Sequence, residues 1–325
     1  MMSDHTSIEW TDATWNPVTG CTKVSPGCDH CYAETFAERF RGTPGHYFEN
    51  GFDVQLRENK LTEPLRWRKP RKVFVNSMSD LFHDAVPDEY IAQVWAVMAL
   101  APQHTFQVLT KRHARMRTLL TSGGFQTAVA EHILAMTDAD EMKDAGDPFP
   151  LPNVWLGVST ENQQWADIRI PALLDTPAAV RFISAEPLLG PISIYSNSNL
   201  DREDAQLDWV IVGGESGHGA RPMHPSWVRS LRYECSEEAR SPGDTIPFLF
   251  KQWGAWVPES MNIHGVNAPA AFLSVEGWTR PLVNGKPTEP PMSRGQDITV
   301  RRVGKGRAGR VLDGRTWDEF PDGDR

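Results

Sequence analysis

Trp209-Val210-Ile211-Val212 runs directly into Gly213-Gly214-Glu215-Ser216. Four apolar, strand-favouring residues without polar alternation describe a strand covered on both faces. The abrupt change to glycine and polar residues describes a turn at its carboxyl end. The same unit recurs along the chain. Lys72-Val73-Phe74-Val75 ends in Asn76-Ser77-Met78-Ser79-Asp80, and Thr105 to Leu109 ends in Thr110-Lys111-Arg112. Val154 to Val158 ends in Ser159-Thr160-Glu161-Asn162, Val180 to Ile183 in Ser184-Ala185-Glu186-Pro187, and Pro247 to Phe250 in Lys251-Gln252-Trp253-Gly254.

Helical patterns lie between several of these runs. Ile91, Val94, Trp95, Met98 and Ala99 share one helical face, and Pro87 with Asp88 and Glu89 marks a helix start. Val228, Leu231 and Cys235 share another face, as do Ala33, Phe36, Ala37 and Phe40. Strand–helix alternation of this kind means an α/β fold. Polar clusters at nearly every strand end favour a barrel over an open doubly wound sheet, because a barrel feeds one site from many strands. The expected fold is a complete or partial TIM-like βα barrel of six or seven strands. It spans residues 1–256, with an N-terminal cysteine loop and an insertion near 122–152. Residues 257–325 read as a C-terminal extension rich in Pro, Gly and Arg.

The 325 residues are 40% hydrophobic and 23% charged, an ordinary globular balance. No stretch approaches the ~18–20 apolar residues of a membrane helix, and Met1 to Trp10 carries no signal-peptide pattern. The expectation is a cytoplasmic protein with no membrane contact. A net charge of −9 argues against bulk attraction to nucleic acid. Arg301, Arg302, Lys305, Arg307, Arg310 and Arg315, with only Asp313 among them, describe either a local basic surface or a solvated tail.

Three of the four cysteines, Cys21, Cys28 and Cys31, have the spacing C-x6-C-x2-C. This is no disulfide scaffold. Thiolates so clustered favour zinc or an iron–sulfur centre. A closed zinc site wants a fourth ligand. His30 is wedged against Cys31, and Cys235 falls on the apolar face of a predicted helix. Three thiolates without a fourth describe a four-iron cluster with one iron left to a non-protein ligand, and zinc remains the alternative.

Gly27-Cys28-Asp29-His30-Cys31-Tyr32-Ala33 resembles the cysteine loop of radical S-adenosylmethionine enzymes, particularly those similar to spore photoproduct lyase. The usual family spacing is C-x3-C-x2-C, so the first gap here is longer. His30 stands where an aromatic residue is common. Leu109-Thr110-Lys111-Arg112 resembles a Thr-Lys-Ser element of the lyase-like group. The whole chain is similar to three-cysteine-motif proteins of phages and bacteria. That similarity runs from Ile8-Glu9-Trp10-Thr11 and Trp15-Asn16-Pro17 to Gly309-Arg310 and Leu312-Asp313-Gly314.

The resemblance implies a [4Fe-4S] cluster on Cys21, Cys28 and Cys31, bound S-adenosylmethionine and an external electron donor. It implies cofactor contacts at the ends of strands two, four, five and six: Asn76, Ser77 and Ser79; Ser159, Thr160 and Glu161; Ser184 and Glu186; and Gly213, Gly214 and Glu215. The family's own Gly-Gly-Glu element follows strand two, so its role does not carry over to Gly213-Gly214-Glu215. Ser159 to Asn162 also reads as an ordinary helix cap. Lys111, Asp80 and His83 are the catalytic candidates, Asp80 and His83 as proton donor or substrate contact. Lys111, Arg112, Arg221 and Lys251 add positive charge suited to a phosphate or the cofactor carboxylate. Trp253, Trp256 and Trp317 are either base-stacking or core residues. The implied activity is a radical reaction on a nucleobase or nucleotide in nucleic acid. The alternatives are a non-catalytic iron–sulfur or zinc protein of phage origin that contacts nucleic acid, and a subunit acting only with a partner protein.

Overall fold

In a computed structural model the described residues are 6, 8–137, 149–195, 206–240, 243–261, 268–277, 279–283, 286–287 and 297–321. Residues 138–148, within the expected insertion, and residues 196–205 lie outside them.

Seven strands form one parallel sheet: β1 (Ala13–Trp15), β2 (Lys72–Val75), β3 (Thr105–Thr110), β4 (Val154–Ser159), β5 (Val180–Ala185), β6 (Trp209–Gly213) and β7 (Phe248–Gln252). Their order in the sheet is their order in the chain. Each crossover therefore steps one strand onward, as in a βα barrel, with no reversal of the kind that makes the switch point of an open sheet. The architecture is a partial TIM-like barrel. Every residue of β4 and of β6 is buried, as their unbroken apolar runs require.

The helices longer than four residues are α1 (Tyr32–Glu38), α2 (Asp88–Ala99), α3 (His113–Leu120), α4 (Gly123–Met136), α5 (Gln163–Leu174) and α6 (Pro225–Glu234). Helix α2 buries Ile91, Val94, Trp95 and Met98 as its periodicity predicts, and Trp95 meets Phe125 of α4 edge-on at 5.9 Å. The expected insertion near 122–152 thus contains a helix, which buries Phe125, Val129 and Ile133. In α1 only Ala33 and Ala37 are buried, whereas Phe36 is 45% exposed. The helix stops after seven residues. Phe36 packs instead against Phe40 and Phe48, with His46 stacked on Phe40 at 3.9 Å.

Contacts divide the chain into two units: Met1–Val158 with Pro171–Phe182, and Ser159–Ile170 with Ile183–Arg325. The second unit carries an antiparallel five-stranded sheet where the sequence suggests only an extension. Its strands are β8 (Trp256–Pro258), β9 (Ala270–Leu273), β10 (Thr279–Val283), β11 (Lys286–Pro287) and β12 (Ile298–Arg302), in the order β8-β12-β9-β10-β11. Residues 309–320 then return along β7. Phe250 N donates to Trp317 O at 3.0 Å, and Phe248 N donates to the Glu319 carboxylate at 2.9 Å. An edge strand left bare would be a template for unwanted pairing, and this return covers it.

Candidate functional site

The cysteine loop follows β1. Its first residue is fixed by backbone alone: Gly20 N donates to Met78 O at 3.0 Å and Cys21 N to Phe52 O at 3.2 Å. Gly20 has φ +87°, and a Cβ there would fall 2.1 Å from Asp53 O, so only glycine fits. Pro26–Cys28 makes a 3-10 turn closed by Cys28 N donating to Ser25 O. Cys31 caps α1, and its carbonyl accepts both the backbone N–H and the hydroxyl of Thr35. All three thiols are free and half-buried, while Cys235 is buried at the end of α6. Burial pushes the Cys21 thiol up to about 11, the Asp80 carboxylate adds to the rise, and the Arg112 guanidinium opposes it.

Among the described residues no three His, Cys, Asp or Glu side chains are gathered as a metal ion requires. The donors nonetheless fit a thiophilic centre in kind: three unbridged cysteines on one loop. In thiolate sites generally the metal supplies the energy that gathers its ligands.

The ends of β2 and β3 in the same unit surround this loop. The Asn16 carboxamide oxygen accepts from the Ser77 hydroxyl at 3.2 Å and from Met78 N at 2.9 Å. Ser79 donates to Val18 O at 2.8 Å, and the Tyr32 hydroxyl donates to Ser77 O. Ser77 and Ser79 therefore have their hydroxyl protons committed to holding the turn. Asp80 is a latch: it accepts from Thr110 Oγ1 at 2.7 Å, Lys111 N at 3.0 Å and Phe82 N at 3.1 Å. His83 Nδ1 accepts from Ala85 N, which leaves the proton of the neutral ring on Nε2, 2.9 Å from Thr22 Oγ1. Burial, and secondarily Arg112, lowers the His83 pKa. Arg112 also donates to Thr22 Oγ1 at 2.8 Å and lies 3.5 Å from Asp84. The Lys111 ammonium has no partner among the described residues.

Asn76 differs from these neighbours. It is only 3% exposed, it sits at φ 60°, and neither its Oδ1 nor its Nδ2 has a hydrogen-bond partner. A buried unpaired amide costs about 1–3 kcal/mol, and the left-handed backbone about 1–2 more. No described residue pairs with either amide atom.

The second unit holds the remaining expected residues. Glu161 and Arg169 form a salt bridge at 2.8 Å with both side chains essentially out of solvent, and Arg169 also donates to Ser159 O. Glu161 is therefore engaged inside the protein, along with the Ser159 carbonyl. Ser184 donates to Glu186 at 3.1 Å, and Lys251 Nζ lies 2.9 Å from the other Glu186 oxygen. A Cβ at Gly213 would come within 2.7 Å of Glu186, so the glycine makes room for this partly exposed pair. Glu215 is clamped by Arg221 through the side chain at 2.6 and 2.9 Å and the backbone N–H at 2.7 Å. The Trp253, Trp256 and Trp317 indole N–H groups all donate to backbone carbonyls, as core or anchoring tryptophans do.

The residues that sequence reasoning passed over are Asn16, Thr22 and Arg169. Asn16 carried a signal, standing directly after β1 in Trp15-Asn16-Pro17. Arg169 carried none, since a charged residue in a helix reads as exposed.

The fold and the thiol loop together define a partial βα barrel with free cysteines at a strand's carboxyl end. A family model described as "Protein of unknown function (DUF5131)" matches residues 5–321, and the chain belongs to that family. No curated protein matches it. A solved structure of "Spore photoproduct lyase complexed with dinucleoside spore photoproduct" is similar with a TM-score of 0.37 and 10% identity, over 69% of this chain and 59% of that one. This chain thus spans less than two thirds of that protein.

Proposed function

We propose that this chain is an iron–sulfur, S-adenosylmethionine-dependent radical enzyme acting on a nucleobase or nucleotide. The observation that carries the reading is the set of three free thiols on one backbone-pinned loop at the carboxyl end of β1. Site loops of barrels gather at those strand ends. In this reading Cys21, Cys28 and Cys31 hold three irons of a [4Fe-4S] cluster. Such a cluster, when bound, supplies the electron, drawn from an external donor, that cleaves the sulfonium of S-adenosylmethionine.

The chain's own residues then bind and orient. Asn76 offers an oxygen and an N–H pair that no described protein group occupies, suited to the methionine ammonium and carboxylate of the cofactor. Lys111 brings an unpartnered ammonium suited to a carboxylate or phosphate. His83 stays neutral, with its proton held at Nε2 toward Thr22.

The test is anaerobic purification with iron and sulfide assays, followed by S-adenosylmethionine and a reductant. Expected are iron, sulfide and 5′-deoxyadenosine in the parent, with cluster and product both lost in Cys28→Ala. A colourless protein carrying stoichiometric zinc sinks the proposal.

A further inference from the structure

In the first unit most cations outside the site meet an acceptor. Lys23 pairs with Glu34 at 3.0 Å, Lys60 with Glu63 at 3.2 Å and Arg117 with Asp175 at 3.1 Å, and Arg115 is held by Asp88. Arg41 is shared between Glu38 and Asp53. The C-terminal cations fare the same way in the second unit. Arg301 is taken by Glu259, Arg302 donates to Gly217 O, Arg310 is taken by Asp318, and Arg315 stacks on Trp317. The basic stretch that stands out in the sequence is therefore largely neutralised by its own fold.

A cluster of unpaired cations lies elsewhere. Arg66-Trp67-Arg68-Lys69-Pro70-Arg71-Lys72 has five cations in seven positions and no carboxylate. Arg66, Arg68 and Lys69 are exposed and have no partner among the described residues. The segment is held in place. Trp67 N donates to Pro64 O at 3.1 Å, Gln103 donates to Trp67 O at 3.3 Å, and Thr105 N donates to Arg71 O at 2.9 Å. The Trp67 ring meets His104 edge-on at 5.7 Å, and the Arg71 guanidinium lies 5.2 Å over it. Like charges so close repel one another, and no carboxylate among the described residues pairs with Arg66, Arg68 or Lys69. The segment leads into the amino end of β2, whereas the thiol loop is at the carboxyl end of β1 in the same unit.

We propose that residues 66–72 are a phosphate-contact surface for nucleic acid, engaging the backbone without reading bases. Guanidinium forks match phosphate oxygens, and a segment of this length reaches up to ~20 Å, several phosphates at ~3.4 Å of axis per strand. An acidic protein partner fits less well. Such interfaces centre on an aromatic anchor entering a pocket, and the one aromatic here is already covered by His104 and Arg71. The proposal does not rest on the thiol reading, and it holds whether the loop binds a cluster, zinc or nothing.

The experiment measures binding of the full chain to a short fluorescein-labelled duplex DNA by anisotropy, from about 50 to about 200 mM salt. The parent is expected to bind with a steep salt dependence. In R66Q/R68Q/K69Q the slope of log K against log salt should shrink by about 2.7, at about 0.9 per phosphate contact, with affinity at low salt falling more than about tenfold. R39Q/K305Q/R307Q removes equal charge elsewhere and should leave both values near the parent. Melting temperatures establish that both variants are folded, and the single Gln variants substitute for a triple variant that is not. No binding by the parent, an unchanged slope in the loop variant, or equal losses in both variants overturns the proposal. So does competition by polyglutamate that matches DNA charge for charge.

Discussion

Asn76 is the residue whose conformation is hardest to explain by folding alone, because it combines a left-handed backbone with a buried, unpaired amide. Two substitutions separate those features. Asn76→Gly removes the amide and relaxes the backbone, so stability should hold or rise while, under the proposed function, S-adenosylmethionine binding is lost. Asn76→Ala also removes the amide but keeps the strained φ, so it should be less stable than Asn76→Gly by about 1–2 kcal/mol, with the same loss of binding. Calorimetric titration and thermal melts check both, and unaltered cofactor affinity in Asn76→Gly reduces the residue to a turn former. Cys21 carries a pH signature. Its folded value is raised by burial from 9.0 to about 11, so in that interval the folded protein keeps a proton that the unfolded chain has released. The stability contributed is full below 9 and is lost as pH rises towards 11. In the metal-free protein, denaturation midpoints should therefore fall more steeply over this interval in the parent than in Cys21→Ser. Parallel curves for the two count against a buried thiol.

The strand-end turn after β4, together with α5, illustrates what an element can demand of its residues. Arg169 rises from α5 to a position without solvent, where it meets Glu161 at the end of β4 and stacks over Trp165 at 4.1 Å. Breaking a buried pair leaves one charge stranded, at a cost of about 3–5 kcal/mol. Arg169→Met should lower the urea midpoint accordingly, and the double variant Glu161→Gln/Arg169→Met should recover part of the loss. A full loss persisting in the double variant would show that Arg169 acts through its other contacts. The cysteine loop has the contrary design: its ends are pinned by backbone bonds, yet its three thiols remain free. Rigid ends with unbridged thiols between them are what the proposed centre would need to form without reshaping the barrel.

At the scale of the molecule, charge is distributed more selectively than a net value of −9 conveys. The second unit folds its C-terminal arginines against Glu259, Asp318 and a backbone carbonyl. Among the described residues the first unit leaves Arg66, Arg68 and Lys69 unpaired on one pinned segment. A field concentrated in this way can act on a polyanion even where the whole chain repels it. No helix among the described residues is long and apolar enough to cross a membrane.

The sequence by itself determined the barrel class, because fully buried strands must be written as unbroken apolar runs and their turns as polar clusters, and it located the thiols, whose chemistry survives any placement. Periodicity likewise exposed α2 and α6, whose buried faces repeat every three or four residues. Tertiary structure decided what short-range patterns cannot carry. The antiparallel sheet over residues 256–302 has no strong apolar alternation, since pairing partners distant in the chain hold it together. Phe36 looked buried and is exposed because α1 ends before its face finds a cover. Which cations are free was also a tertiary matter, because an arginine is neutralised by whichever carboxylate folding brings near, and sequence distance does not measure that.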